Sequence, residues 1–348
     1  MPKNRDADSA RPTKGGRKGK GLEQFLDALR RDIDEVARRD GPVLVGPFTG
    51  EVGFELLYWL PMIRWAVREF PSLAGRLTVI SRGGVEQWWR SFLDVEYVDI
   101  LSFYEPGEYV ARKGVDKQKV AKGFDDEILA RVRSALGITD AQVLHPSLLF
   151  QFYFHVRKGN PDVFAHRVKA RPGGADGLAA LYDPLPRPTP RPELEARLPD
   201  DFVAARFYFR DSFPVTGENR AFAVETISKL ARRRPVVLLN TQLELDEHSD
   251  IEGADGDLIF IDDLMRADDN LSVQTETLGR ARAFVGTYGG LAYLAPFLGV
   301  PAIGFSSLPE HAASWHLALA QRLFAGPDWA PLITLRTRDV AVFDVMGV

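Results

Sequence analysis

The sequence contains no cysteine. Structural disulfides and thiolate metal sites are therefore excluded, which fits a reducing compartment. Histidine is scarce, with 6 in 348 residues. Neither His145 and His155 nor His311 and His316 stand at metal-ligand spacing with a third donor, so no metal site is expected. No apolar run approaches the length of a membrane span. The basic residues at the N-terminus are not followed by the apolar core of a secretory signal, and a cytoplasmic location is expected. Two glycine signatures are missing as well. No Gly-Lys-Ser/Thr follows a glycine loop, and no Gly-x-Gly-x-x-Gly opens a helix, so neither a P-loop nor a dinucleotide fingerprint is present. A net charge of −4 gives no reason to expect a nucleic-acid partner.

What is present is an alternation of short apolar strands and amphipathic helices, long enough for two domains. Residues 1–20 are polar, with seven basic residues against Asp6 and Asp8, and are expected to be a disordered tail. The tail is read as a solvated terminus, with peripheral contact to acidic lipid head groups as the other reading. Residues 21–183 form the first expected domain. Leu22, Phe25, Leu26, Leu29, Ile33 and Val36 fall at helical spacing. Pro42 to Phe48 reads as a buried strand, and Thr49-Gly50-Glu51-Val52-Gly53 as the loop at its carboxyl end. A helix is expected from Phe54 to Glu69. Glu51 and Glu55 stand four apart, a spacing that puts both on one helical face toward the loop mouth. Glu51 could instead simply complement the helix dipole.

Leu77 to Ser81 reads as a second strand, with Arg82-Gly83-Gly84 at its carboxyl end. Trp88 and Trp89 are read as core residues, with stacking on a ligand as the alternative. Tyr97 to Leu101 reads as a third strand. His145 to Lys158 is dense in aromatics and reads as a buried helix or a pocket wall. Residues 184–199 are rich in proline and are expected to be a linker. Tyr182-Asp183-Pro184 reads as an edge strand before it.

Residues 200–348 form the second expected domain, a parallel doubly wound sheet. Its first strand runs from Phe202 to Arg210, and period-two alternation puts Arg206, Tyr208 and Arg210 on one face. Arginine suits a diphosphate because its planar fork pairs two oxygens at once. The alternative for Arg210 is a surface ion pair to Asp211 or Glu218. Asn240 and Thr241 end the next strand. Strand, loop, helix and strand then follow from Phe284 to Phe305. Gly286, Thr287, Tyr288, Gly289 and Gly290 make a loop of little bulk at a helix start, where unpaired N–H groups and a partial positive charge suit a phosphate. The alternative is an ordinary packing turn.

That stretch, together with Gly46 to Glu55 and Arg206 to Arg210, resembles GT-B glycosyltransferases, among them heptosyltransferase- and fucosyltransferase-like donor domains. The resemblance implies two Rossmann-like domains facing a cleft. It implies transfer of a sugar from a nucleoside-diphosphate sugar, the substrate rather than a cofactor, to a hydroxyl on a glycan or lipid-linked acceptor. On this reading Glu51, Glu55 and Arg210 are the catalytic candidates. Arg206, Arg210, Asn240, Thr241 and residues Gly286 to Gly290 hold the donor, and Gly50, Gly53 and Arg82 lie at the acceptor. Metal independence is expected, because no Asp-x-Asp pair follows a strand, and Asp262 and Asp263 are adjacent and point to opposite faces. Two other activities fit the same residues: hydrolysis or epimerisation of the nucleotide sugar, and binding without catalysis.

Overall fold

The computed structural model describes residues 15–114, 123–148, 182–243, 245, 251–308 and 314–340. Two sheets organise the chain, and every strand pair in both is parallel. The first has four strands in the order β3-β2-β1-β4: β1 (Val43–Val45), β2 (Leu77–Ser81), β3 (Val95–Asp99) and β4 (Gln142–Leu144). The second has six in the order β10-β9-β8-β5-β6-β7. These are β5 (Val203–Arg206), β6 (Val236–Leu238), β7 (Leu258–Phe260), β8 (Ala283–Thr287), β9 (Ala302–Ser306) and β10 (Leu332–Arg336). The central strands are buried on both faces, as covered parallel sheets require. That is the arrangement of two parallel α/β sheets that the strand and helix alternation led one to expect.

The first helix, α1 (Gly15–Arg38), begins earlier than the sequence suggested. Residues 15–20 were expected in a disordered tail and are helical instead; lysine and arginine are good helix formers, so a basic composition does not stop a helix that is packed further along. Residues 1–14 lie outside the described residues. After β1 the chain makes α2 (Val52–Phe54), a π-helical stretch (Glu55–Trp59) and α3 (Leu60–Glu69). The remaining described helices of the first half are α4 (Glu86–Arg90), α5 (Pro106–Lys113) and α6 (Gly123–Leu136). Those of the second half are α7 (Pro192–Glu195), α8 (Gly217–Ala231), α9 (Asn270–Arg280), α10 (Gly290–Phe297) and α11 (Ser314–Leu323).

Three strand expectations need correction. The strand expected from Phe202 to Arg210 is β5, which stops at Arg206. The third strand sits two residues earlier than expected, because Ile100 and Leu101 turn into a 3-10 helix started by the Asp99 carboxylate, which accepts from the Leu101 N–H at 2.8 Å. Tyr182-Asp183-Pro184 belongs to no strand among the described residues. Instead the Tyr182 hydroxyl donates to the Leu57 carbonyl at 2.6 Å, and Asp183 pairs with Arg64. Two residues later the chain belongs to the other half: Leu185 N donates to Phe297 O at 2.7 Å, and Arg187 to the carbonyls of Leu298 and Gly299 at 2.9 and 2.8 Å. Arg191 then forks onto Glu276 and Asp269. The aromatic stretch from Leu149 to Lys158 lies outside the described residues.

The two sheets do not sit apart. One hydrophobic cluster runs through both, including Val45, Val79, Trp88 and Leu144 from the first half and Ala204, Phe284, Leu294 and Ala302 from the second.

Candidate functional site at the seam between the sheets

The carboxyl ends of the strands in the two sheets meet along a seam. From the first sheet come residues 46–54 after β1 and Arg82-Gly83-Gly84 after β2. From the second come Tyr208 and Arg210 after β5, Asn240 and Thr241 after β6, and Tyr288 to Gly290 after β8. Backbones approach closely there. A Cβ added at Gly290 would stand 2.7 Å from the Val52 Cβ, and one at Gly53 would stand 3.1 Å from the Tyr293 ring. The Gly83 carbonyl accepts from the N–H groups of Leu271 and Ser272 at 2.9 and 3.0 Å, so a loop of the first half caps α9 of the second. Trp88 Nε1 donates to Thr275 Oγ1 at 3.2 Å across the same seam.

The geometry separates the two glutamates. Glu51 precedes α2 in an extended conformation, is exposed, and makes no side-chain capping bond. Glu55 is completely buried. The expectation that the pair shares one face toward the loop mouth is therefore corrected: Glu51 is the extended residue before α2, outside the helix, so four-residue helical spacing does not apply to its side chain. One oxygen of Glu55 accepts from Ser81 Oγ at 2.7 Å and Trp89 Nε1 at 3.1 Å; the other faces Arg82 at 3.8 Å. Burial raises the Glu55 carboxyl above its ordinary value, against the lowering effects of Arg82, Ser81 and Trp89. Arg82 is itself buried and donates to the Gly50 carbonyl. Trp88 and Trp89 are both core residues, which leaves no exposed face for stacking on a ligand.

Glu51 lies instead near residues of the second half. Burial first, and the Glu51 charge second, push the Tyr208 phenol well above its ordinary value, while Arg206 and Arg210 pull it back. Burial pushes the Tyr288 phenol up to about 12; Tyr293 lowers it and Glu51 raises it. Glu51, Arg206, Tyr208, Arg210 and Tyr288 thus form one electrostatic neighbourhood drawn from both halves. Both phenols stay protonated and can act as hydrogen-bond donors.

The period-two face is real. Phe207 and Phe209 are buried in the core between β5 and α8, and Arg206, Tyr208 and Arg210 lie on the opposite side. Arg206 donates to the Leu239 carbonyl at 3.0 Å and Gln274 Oε1 at 2.7 Å, which fixes it across the ends of β5 and β6. Arg210 starts a tight turn closed by paired backbone bonds with Phe213 at 3.0 and 2.8 Å.

Gly286 and Thr287 belong to β8 rather than to a loop. A Cβ at Gly286 would fall 1.9 Å from the Arg206 carbonyl, so strand packing alone demands glycine there. Thr287 Oγ1 accepts from Tyr208 N at 2.9 Å and stands 2.9 Å from Tyr208 O, clipping the two strand ends together. At Gly289 a Cβ would collide with the Tyr208 hydroxyl at 1.7 Å, and that hydroxyl donates to the Tyr288 carbonyl at 3.1 Å. Asn240 donates to the Ile251 carbonyl at 3.2 Å, and Thr241 Oγ1 accepts from Leu243 N at 3.3 Å. Asp263 is paired with Arg197. Among the described residues no group of three or more His, Asp or Glu is placed to hold a metal ion, and no helix is long and apolar enough to cross a membrane.

Sequence reasoning placed Tyr208 on the face of Arg206 and Arg210 and Gln274 near a helix start, but gave neither a role in the site. Tyr208 was within reach of it, since the alternation that marks Arg206 and Arg210 marks the residue between them. Gln274 has no local signal; it matters only because α9 crosses the end of β5.

No protein-family model matches the chain, and no curated protein matches it. Solved structures with a similar course include glycosyltransferases and a UDP-GlcNAc 2-epimerase from Methanocaldococcus jannaschii, the latter 10% identical over 97% of this chain and 84% of that one with a TM-score of 0.28. A glycosyl transferase family 9 structure from Veillonella parvula is 12% identical, with 88% of this chain and 89% of that one covered and a TM-score of 0.45. The heptosyltransferase WaaC with ADP, from E. coli, is 15% identical over 88% of this chain and 100% of that one, with a TM-score of 0.40. The iron-containing dodecameric glycosyltransferase TibC, from enterotoxigenic E. coli, is 14% identical over 78% of this chain, with a TM-score of 0.39; the match spans 60% of the TibC chain.

Proposed function

We propose that the chain transfers a sugar from a nucleoside-diphosphate sugar to a hydroxyl acceptor at the seam between the sheets. The observation that carries this reading is the placement of one exposed carboxylate, Glu51, in the same neighbourhood as Arg206, Arg210 and the protonated phenols of Tyr208 and Tyr288. A glycosyl transfer needs a base on one side of the anomeric carbon and positive charge on the other. Glu51 takes the proton of the acceptor hydroxyl while its oxygen bonds to the anomeric carbon. The bond from that carbon to the diphosphate breaks, and the leaving group departs with the bonding pair. Arg210 and Arg206 meet its charge, together with the N–H groups that open α10. Asn240 and Thr241 border the nucleoside. Gly50 lies beside Glu51 on the side an acceptor would approach, whereas Gly53 is buried against the Tyr293 ring and serves the packing of the seam.

Glu51→Gln keeps the shape and removes the base. Turnover should fall roughly 10²–10⁴-fold, while a nucleoside diphosphate still raises the melting temperature as in the parent. Near-full turnover in that variant would remove Glu51 from the mechanism. Uridine, guanosine and adenosine diphosphates each test the donor side: at a hundred times its dissociation constant a bound ligand adds roughly 2.7 kcal/mol. Arg210→Ala should weaken that gain without lowering the ligand-free melting temperature. Activity should also persist in EDTA, because arginines and backbone N–H groups supply the charge at the diphosphate. Loss in EDTA with recovery on adding magnesium or manganese would overturn this point.

A further inference from the structure

The backbone around Glu51 is gripped from both sides. The Gly50 carbonyl accepts from the Arg82 guanidinium. The Glu51 carbonyl accepts from the N–H groups of Phe54 and Glu55 at 3.0 and 3.2 Å. Just upstream, Phe48 N donates to the Ile80 carbonyl at 2.9 Å, and a Cβ at Gly50 would stand 2.8 Å from the Phe48 ring. The loop therefore has one placement, and within it the Glu51 side chain is the exposed part. Arg82 takes part in that grip through its guanidinium, which faces the Glu55 carboxylate at 3.8 Å. Glu55 is in turn fixed by Ser81 and Trp89. A fully buried carboxylate beside a buried guanidinium is costly, and well-packed apolar residues of similar volume are commonly as stable or more so. A pair kept at that cost directly beneath a glycine loop calls for a role other than stability.

We propose that Glu55 is a positioning residue: it orients Arg82, Arg82 holds the Gly50 carbonyl, and the Glu51 carboxylate is thereby aimed at the acceptor hydroxyl. Resting as it does on the transfer reading for its effect on turnover, the relay also makes a claim about backbone order that holds without any substrate.

The experiment combines peptide-level hydrogen exchange with steady-state kinetics on Glu55→Gln, Arg82→Gln and the double variant. Glu55→Gln keeps an acceptor for Ser81 and Trp89 and removes only the charge facing Arg82. Exchange of the amides from Gly50 to Gly53 should quicken by on the order of tenfold relative to amides elsewhere in the chain, a comparison that corrects for the fall in melting temperature that a buried Arg82 without its counter-charge brings. Turnover should fall roughly 10²-fold, because a small misplacement of a reacting group is enough for that, while KM for the nucleotide sugar stays within about twofold. The double variant should lose no more than the worse single one, since both act through one link. Unchanged exchange from Gly50 to Gly53 overturns the relay, and so does raised exchange with an unchanged kcat. Should Glu55→Gln fail to fold, Trp89→Phe removes one donor to Glu55 and keeps an aromatic ring in the core, with a small void beside it; the same two readouts then decide, with smaller changes expected. An inactive parent enzyme would sink the transfer reading, and exchange alone would then decide the relay.

Discussion

Asp99 ends β3 and accepts three hydrogen bonds, from Gly84 N and Leu101 N at 2.8 Å each and from the Tyr97 hydroxyl at 2.9 Å. Those bonds favour the charged carboxylate, yet burial outweighs them, and Asp268 adds to the rise. The group is pushed up to about 7 from an ordinary 3.8. A carboxyl whose folded pKa is raised contributes stability that is complete below its unfolded pKa and is lost as pH rises through about 7. Unfolding free energy should therefore fall between pH 5 and pH 8 by on the order of 2 kcal/mol from this group. Asp99→Asn, which imitates the protonated form, should remove that slope. Urea denaturation of both proteins at the two pH values measures it, and parallel profiles would refute it. The contrast with Glu51 and Glu55 shows what a residue-level reading can reach. Glu51 was legible because glycines flank it at a strand end, and Arg210 because alternation named its face. Burial of Glu55 was hidden, since the spacing rule presumes that both residues lie inside one helix and Glu51 stands before it in an extended conformation.

Helices and strands were legible in kind, with their ends shifted by packing. β1, β4, β6 and β7 have three residues each, too few for a periodic signal, and the sequence reading passed over β4 altogether. Contacts between elements were less accessible still. The glycines at 286, 289 and 290 suggested a phosphate cradle, and the fold adds a second demand on each: a strand carbonyl, a tyrosine hydroxyl and a valine of the opposite half stand where their side chains would be. Gly290→Ala should therefore cost about 1–3 kcal/mol, the usual range for overpacking, because Val52 Cβ is rigid and cannot swing away. Gly107→Ala is the control. It lies in α5 with nothing within 4 Å of an added Cβ, and alanine in a helix should hold or raise stability by up to about 1 kcal/mol. Equal melting temperatures for the two variants would contradict the close approach of α2 and α10.

At the scale of the molecule, the two-sheet layout followed from strand and helix alternation, but the packing of one sheet's loops on the other did not. Nothing local in Gly83 announces that its carbonyl caps α9, nor in Trp88 that its indole meets Thr275. These contacts predict how the chain unfolds. Proteins with two domains commonly melt in two steps. Here one hydrophobic cluster runs through both sheets, so opening one half strips apolar cover from the other. Calorimetry should then show a single transition, with a van't Hoff enthalpy close to the calorimetric one. Trp88→Phe sharpens the test. It deletes the hydrogen bond across the seam, while Thr275 Oγ1 keeps its 2.5 Å bond to the Leu271 carbonyl. The loss is about 1 kcal/mol, or about 2 °C in a chain of this size. In a coupled molecule the whole transition moves down together. If the peak splits instead, or only its earlier part moves, the halves unfold separately and the seam is a docking contact rather than a shared core.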